Sequence, residues 1–221
     1  METRELPGRP TTLRRWKIAR EGVPFVLAAL VPAAVLFALG GGWAWGGAAF
    51  LLVAAAVAAF FRDPDREIPA DPALVLSPAD GRVTEVAPAQ GGGHVVSIFL
   101  SVLDVHVNRS PVRATVARAE YRPGRFLPAY RPEAADRNEQ NVLWLDSARG
   151  QLRVAQVAGI LARRIVCRTR AGDRLAAGER FGLIRFGSCT RLWIPTGAEP
   201  LVSPGDRVRG GVTPLARWTA P

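Results

Sequence analysis

The sequence predicts a mainly β soluble domain preceded by an N-terminal α-helical membrane hairpin. Two uncharged apolar runs, Val23–Leu39 and Trp43–Phe61, are each close to the ~20 residues that cross a bilayer as a helix, and they predict the hairpin. Beyond residue 71 the pattern changes to short β-type runs broken by Gly, Pro and Asp, which predicts the domain. Near the C-terminus one turn pattern occurs twice, as Gly172-Asp173-Arg174-Leu175-Ala176-Ala177-Gly178 and as Gly205-Asp206-Arg207-Val208-Arg209-Gly210-Gly211. Each copy ends one strand at a Gly-Asp turn and starts another after a glycine.

Residues 1–22 form a basic arm in which Arg4, Arg9, Arg14, Arg15, Lys17 and Arg20 outnumber Glu2, Glu5 and Glu21. Trp16 suits a lipid interface. The hairpin occupies 23–61. Gly40-Gly41-Gly42 is too short a join for anything but a reversal, and Trp43 and Trp45 suit the far interface. Arg20 before and Arg62 after place both ends in the cytoplasm by the positive-inside rule, so the domain that follows lies on the cytoplasmic side of the cell inner membrane. A cleaved signal peptide would leave the second run unexplained. A pair of buried helices in a soluble core is the other alternative. Abundant Ala and Gly, with Pro24 and Pro32, also leave a shallow or re-entrant hairpin open.

Residues 62–70 read as a charged, proline-punctuated linker, and 71–221 as the working domain. Leu74–Leu76, Val83–Val86, His94–Leu100 and Val142–Leu145 are strand candidates. Tyr121–Asn141, with Pro123, Pro128 and Pro132, reads as a long loop of the kind that often serves as a lid. The repeated Gly-Asp turns have the texture of a barrel-sandwich, as in lipoyl and biotinyl carriers.

A chain of 221 residues with 48% hydrophobic residues can bury a core, and its net charge of +10 favours a polyanion. The apolar runs, and no visible nucleic-acid motif, make that partner an anionic membrane surface rather than nucleic acid. Cys167 and Cys189 form neither a disulfide framework nor a metal-ligand spacing, which suits a reducing compartment and no metal. The only lysine is Lys17, in the arm. Pyridoxal phosphate, lipoyl and biotin all need a lysine amine in the working domain. Schiff-base chemistry here would take its carbonyl from the protein and its amine from the substrate.

The strand-like run Phe181-Gly182-Leu183-Ile184-Arg185-Phe186 ends in Gly187-Ser188. A serine after glycine can turn back on the preceding carbonyl, because glycine has no Cβ to block the approach. A lone Gly-Ser is nonetheless most often just a turn. A nucleophile elbow, Gly-x-Ser-x-Gly, fails because Phe186 and Thr190 stand where glycines are needed. The histidines are His94 and His106. In Asp104-Val105-His106-Val107-Asn108-Arg109, alternation puts Asp104, His106 and Asn108 on a polar strand face, where His106 is either a solvated residue or an acid-base group.

Gly178-Glu179-Arg180-Phe181-Gly182-Leu183-Ile184-Arg185-Phe186-Gly187-Ser188 resembles the processing site of the phosphatidylserine decarboxylase proenzymes of the short bacterial and archaeal type. The likeness continues through Phe60-Phe61-Arg62-Asp63-Pro64, Ser77-Pro78-Ala79-Asp80-Gly81, Val105-His106-Val107-Asn108-Arg109-Ser110-Pro111 and Ala162-Arg163-Arg164-Ile165-Val166. It implies that the Gly187–Ser188 bond breaks to give a β chain, 1–187, and an α chain, 188–221, which stay together as a heterodimer, with further oligomerisation left open. Ser188 then becomes a pyruvoyl group that forms a Schiff base with phosphatidylserine, and phosphatidylethanolamine and CO2 leave. The resemblance makes His106 the candidate for reprotonating the carbon and matches Asp80 to a triad aspartate, whose plain reading is an Asp-Gly turn.

In the longer type of the family a second histidine follows the first by three positions, and here that position is Arg109, a poor base. Either His106 serves both self-cleavage and decarboxylation, or another group replaces the missing imidazole. Arg109 instead suits a substrate phosphate or carboxylate. Cys189 stands where serine, threonine or arginine is more usual, as a neutral change or a side nucleophile. The rival functions are a non-enzymatic membrane-tethered adaptor and a pyruvoyl decarboxylase of a soluble amino acid.

Overall fold

The computed structural model describes residues 17–127, 137–159, 164–185 and 188–219. A 3-10 turn at Arg20–Gly22 leads into helix α1 (Val23–Leu39), and Gly40 and Gly41 reverse the chain at φ 68° and 55° into helix α2 (Trp43–Phe60). L side chains rarely adopt such angles, and two in succession favour glycine. The helices meet along small residues, with Ala29, Ala33, Gly47 and Ala54 buried in the seam. A Cβ on Gly47 would lie 3.0 Å from the Phe37 ring and 3.1 Å from the Ala33 carbonyl oxygen. Small-residue seams of this kind let helix backbones approach closely in lipid. The large side chains point outward, with Trp45 83%, Leu52 73% and Val31 62% exposed. A helix pair buried in a soluble core would turn those side chains inward, so that alternative fails. Both helices are long and apolar enough to cross a membrane. Phe61 caps α2 rather than extending it, and is buried at the foot of the hairpin.

The β domain begins with β1 (Leu74–Leu76), β2 (Gly81–Pro88), β3 (His94–Leu100) and β4 (Val107–Arg109). There follow β5 (Ala114–Arg122), β6 (Gln140–Ser147), β7 (Gly150–Val157), β8 (Ile165–Cys167), β9 (Arg174–Leu175) and β10 (Arg180–Ile184). Last come β11 (Ser188–Ile194), β12 (Ala198–Pro200), β13 (Arg207–Val208) and β14 (Pro214–Trp218). An antiparallel eight-stranded sheet runs β13-β2-β3-β11-β7-β6-β5-β9, and two three-stranded sheets run β1-β14-β12 and β4-β10-β8. Val96, Ile98, Leu100, Leu143, Leu145, Val154, Leu192 and Ile194 alternate inward from the central strands onto Phe181 and Leu215 of the small sheets. Each such side chain, fully buried, contributes roughly 1.5–3 kcal/mol. The mainly β fold class and the helical hairpin ahead of it are as the sequence predicts.

The two Gly-Asp turns are the surface trace of a larger internal symmetry. Gly172 N and Gly205 N donate to Val116 O and Val83 O, both at 2.8 Å, and Val116 N and Val83 N donate back to Asp173 O and Asp206 O, both at 2.9 Å. Ser110 Oγ donates to Val112 O at 2.7 Å, as Ser77 Oγ does to Ala79 O at 2.6 Å. Strands β4 to β10 thus form one half, and β1 to β3 with β11 to β14 form the other. In the first half β6 and β7 are joined by a tight turn at Ser147↔Gly150. In the second the equivalent pair is Leu100↔Ser188, with the whole first half inserted between them.

Three expectations change. The polar strand face proposed for Asp104–Asn108 does not form, because only Val107–Arg109 is strand and Val105, His106, Val107, Asn108 and Arg109 are all buried between sheets. The loop expected over Tyr121–Asn141 is shorter, since β5 extends to Arg122 and β6 begins at Gln140. Its middle, 128–136, lies outside the described residues. Finally, residues 62–70 lie fastened along the β domain by the ion pairs described below.

Candidate active site

Ser188 opens β11, which lies between β3 and β7 in the large sheet. Alternation sends Ser188, Thr190, Leu192 and Ile194 inward and Cys189, Arg191 and Trp193 outward. Ser188 is fully buried, and its Oγ has no hydrogen-bond partner among the described residues. An orphaned buried hydroxyl costs about 1–3 kcal/mol, so a native chain that keeps one asks for a chemical reason. Gly187, the other side of the bond proposed for cleavage, lies outside the described residues.

Behind Ser188 on the same face runs a chain of buried amides. Asn108 Nδ2 donates to Thr190 Oγ1 at 3.1 Å, Gln156 Nε2 to Asn108 Oδ1 at 2.9 Å, and Asn141 Nδ2 to Gln156 Oε1 at 3.2 Å. Gly182 of β10 makes room for it: a Cβ there would lie 2.9 Å from Gln156 Nε2 and 2.3 Å from Val166 O. Such a network fixes the register of β11 beside the serine.

His106 is 3% exposed, on the stretch joining β3 to β4. Its backbone oxygen accepts from Ile184 N at 3.2 Å, tying it to the end of β10. Leu100↔Ser188 pairing brings β3 and β11 together at the same end of the sheet. The Phe60 ring of α2 lies 4.3 Å from the imidazole centroid. Burial pushes the His106 pKa down to about 4; the hydrogen bond to Asp104 and the Asp104 and Asp80 charges oppose this, and Arg62 reinforces it. Nδ1 lies 2.9 Å from the Asp104 carbonyl oxygen. A carbonyl can only accept, which assigns the proton of the neutral ring to Nδ1 and leaves Nε2 basic.

Asp80 is drawn into a different partnership. Arg66 of the linker grips both carboxylate oxygens at 2.7 Å and donates to Gly210 O at 2.7 Å, while Gly210 N donates to Asp80 Oδ1 at 2.8 Å. Arg109, 4% exposed, donates to Gly178 O and Pro64 O at 3.0 Å each and to Asp63 at 3.3 Å. Burial lowers its pKa to about 10, with Arg180 adding to the effect and Asp63 opposing it. These contacts make Arg109 a fastener of the linker in this structure. Arg180 completes the clasp, reaching Asp63 at 2.7 Å and Asp65 at 2.9 Å.

Cys189 points away from Ser188 into an apolar cluster with Val142, Ala155 and Val157. Burial pushes its thiol up to about 12. A thiol held so far from its thiolate is a poor nucleophile.

Phe60, Arg66, Asn108, Gln156 and Thr190 went unnoticed as site-building residues in the sequence. A signal existed for Gln156, which follows Leu152 and Val154 at an inward position where only an apolar residue needs no partner. Among the described residues no group of acidic, histidine or cysteine side chains could hold a metal ion.

A β domain with a buried serine that has no partner among the described residues, a buried histidine near the same end of the sheet, and the foot of an apolar hairpin packed on that histidine define a class of hairpin-borne proteins with a water-poor candidate site. The particular family follows from comparison with known proteins. The family model described as phosphatidylserine decarboxylase matches residues 53–216. A phosphatidylserine decarboxylase proenzyme of Symbiobacterium thermophilum is 52% identical over 212 residues, covering 93% of this chain and 97% of that protein. Proenzymes of the same name from Burkholderia cenocepacia and Burkholderia ambifaria are 44% and 45% identical over 206 residues, covering 90% of this chain and 95% of each. The chain belongs to the phosphatidylserine decarboxylase family and is an enzyme of that family.

Proposed function

We propose that this chain is a membrane-anchored, self-processing decarboxylase that converts phosphatidylserine to phosphatidylethanolamine and CO2. The observation that carries the reading is the Ser188 hydroxyl, buried at the head of a central strand without a partner among the described residues. In processing, His106 Nε2 takes the hydroxyl proton, Oγ attacks the carbonyl carbon of Gly187, and the peptide bond gives way to an ester. Elimination of that ester releases the chain ending at 187, and loss of ammonia by hydrolysis leaves the pyruvoyl group at position 188. Domain boundaries follow: 1–22 arm, 23–61 anchor, 62–70 linker and 71–221 decarboxylase domain, cut at 187/188.

The residues present fit such a group. The serine is already shielded from water, and no lysine lies in the β domain to compete for a carbonyl. Once formed, the group supplies the electron sink for the pair left behind by departing CO2. His106 holds its proton on Nδ1 against Asp104 and moves protons through Nε2. Phe60 excludes water from that ring. Arg66 holds Asp80 in place, and the Asp80 carboxylate charge acts on the imidazole against the effect of its burial. The α chain stays in place after cutting because β11 keeps its register with β3 from Ser188↔Leu100 to Ile194↔His94, and with β7 from Cys189↔Val157 to Trp193↔Arg153. Arg20 and Arg62 flank the hairpin, which supports a cytoplasmic face of the inner membrane, where anionic serine lipid is met at the surface.

Intact-mass analysis of purified wild-type protein tests this: two species, 1–187 and a blocked 188–221, accompany CO2 release from phosphatidylserine vesicles, and Ser188→Ala gives one uncut, inactive chain. A wild-type chain that stays whole yet still decarboxylates the lipid would overturn it.

A further inference from the structure

Between β3 and His106 the chain makes a tight turn whose tip is built the wrong way round for water. Asp104 N donates to Ser101 O at 2.9 Å, and the Asp104 carboxylate folds back to accept from Ser101 N at 2.8 Å and Ser101 Oγ at 2.7 Å. Turn centres normally carry Gly, Asn, Asp, Ser or Pro. Here they are Val102, 48% exposed, and Leu103, 79% exposed. Leu103 is the most exposed large apolar side chain of the β domain among the described residues. The Ser101 and Asp104 side chains bond within the turn, and the aliphatic pair faces out.

The turn's position says what it faces. Arg62 donates one N–H to Ala59 O, at the end of α2, and another to Leu103 O, which clips the tip to the foot of the hairpin. Ile18, 42% exposed, pairs its backbone with Arg62 at the same place. Ile18, Val102 and Leu103 therefore continue the apolar surface of the helices onto the β domain. Exposed apolar surface continuous with a membrane-facing helix belongs in the same medium.

We infer that the Ser101–Asp104 turn dips into the lipid interface, seating Val102 and Leu103 at the acyl–headgroup boundary beside α2 and presenting the site to substrate still in the bilayer. The inference rests on the membrane-anchored reading above, and its occupant is the bilayer itself.

Two measurements on the full chain, reconstituted in phosphatidylcholine vesicles with one-fifth phosphatidylserine, test it. In the first, Leu103→Cys, made with Cys167→Ser, carries an environment-sensitive fluorophore. Cys189 can stay, since burial leaves its thiol unreactive. Lipid-borne quenchers placed at the headgroup–acyl boundary are expected to quench the probe, and aqueous iodide to quench it poorly. Full quenching by iodide with none from lipid overturns the inference whether or not the protein is a decarboxylase. In the second, Leu103→Asp is assayed on vesicle phosphatidylserine and on a short-chain phosphatidylserine kept monomeric in solution. The expected result is a loss of about tenfold in kcat/KM on vesicles, about 1.4 kcal/mol, with the monomeric substrate unaffected. No loss on either substrate, or an equal loss on both, removes the lipid contact. If wild-type protein decarboxylates neither, the functional reading fails and the quenching result alone decides the turn.

Discussion

Acid is the perturbation that tests the site most directly, because His106 is predicted to stay neutral far below the range in which an exposed histidine titrates. Its pKa is lowered from 6.5 to about 4 by burial. Each unit corresponds to about 1.4 kcal/mol, so the depression corresponds to ~3 kcal/mol. The unfolded chain takes up this proton below 6.5, whereas the folded chain does not until about 4. Unfolded chains therefore bind more protons across that window, and stability falls as the pH drops from 6.5 to about 4.

Replacing His106 by Gln removes the titration. Between pH 7.5 and 5, denaturant unfolding should lose ~2 kcal/mol more in a Ser188→Ala parent than in Ser188→Ala/His106→Gln. The cleavage-deficient background keeps both chains single and comparable. With two histidines in the chain, His94 and His106, carbon-labelled imidazole resonances can be assigned by one substitution. The His106 resonance should titrate near 4, and self-cleavage of wild type should hold level from pH 8 to 5 before declining. Phe60→Leu, which removes the ring 4.3 Å away, should let water in and move that titration upward. A His106 midpoint near 6.5, or a cleavage rate that halves there, would refute the buried-base reasoning.

The orphaned Ser188 hydroxyl implies that Ser188→Ala abolishes cleavage while leaving the denaturation midpoint unchanged or slightly higher, since no hydrogen bond of the described structure is lost. Arg66 and Asp80 side chains are 9% and 13% exposed, so Arg66→Met strands a buried carboxylate and should cost roughly 3–5 kcal/mol in thermal or chemical unfolding. The double variant with Asp80→Leu should recover much of that, which a double-mutant cycle reads directly. Iodoacetamide at pH 8 should leave Cys189 unmodified in folded protein and modify it on unfolding, and Cys189→Ala should still cleave; protection lost without unfolding would contradict its burial.

The hairpin was legible almost to the residue, because uncharged runs interrupted by three glycines allow few alternatives. Strands β1 and β3 match their predicted bounds for a similar reason: short apolar runs between turn formers report local structure. The Asp104–Asn108 segment misled because alternation assumes one wet face, and here a small sheet covers that face as well. Asp80 read as a turn residue because its partner Arg66 lies across the linker, and long-range pairing of charges leaves no periodic mark. Ser188 was visible as a Gly-Ser step, but its burial was not, since that depends on β3 and β7 arriving on either side.

The internal symmetry gives the position of Ser188 a physical rationale. One half of the domain is inserted where the other half has its hairpin turn, so Ser188 opens β11 just after the inserted half ends with β10 at Ile184. A cut there severs one connection and no strand. Every ladder of β11, β13 and β14 would survive such a cut, and Ser188 at the new chain end would stay buried between β3 and β7. The same end of the sheet is where α2 delivers Phe60 to His106 and where Arg62 clips the hairpin to the turn before that histidine. On the proposed reading, Ser188, His106 and the foot of the hairpin therefore lie toward one end of the fold, so the place where a backbone cut would be tolerated would also be the place nearest the lipid.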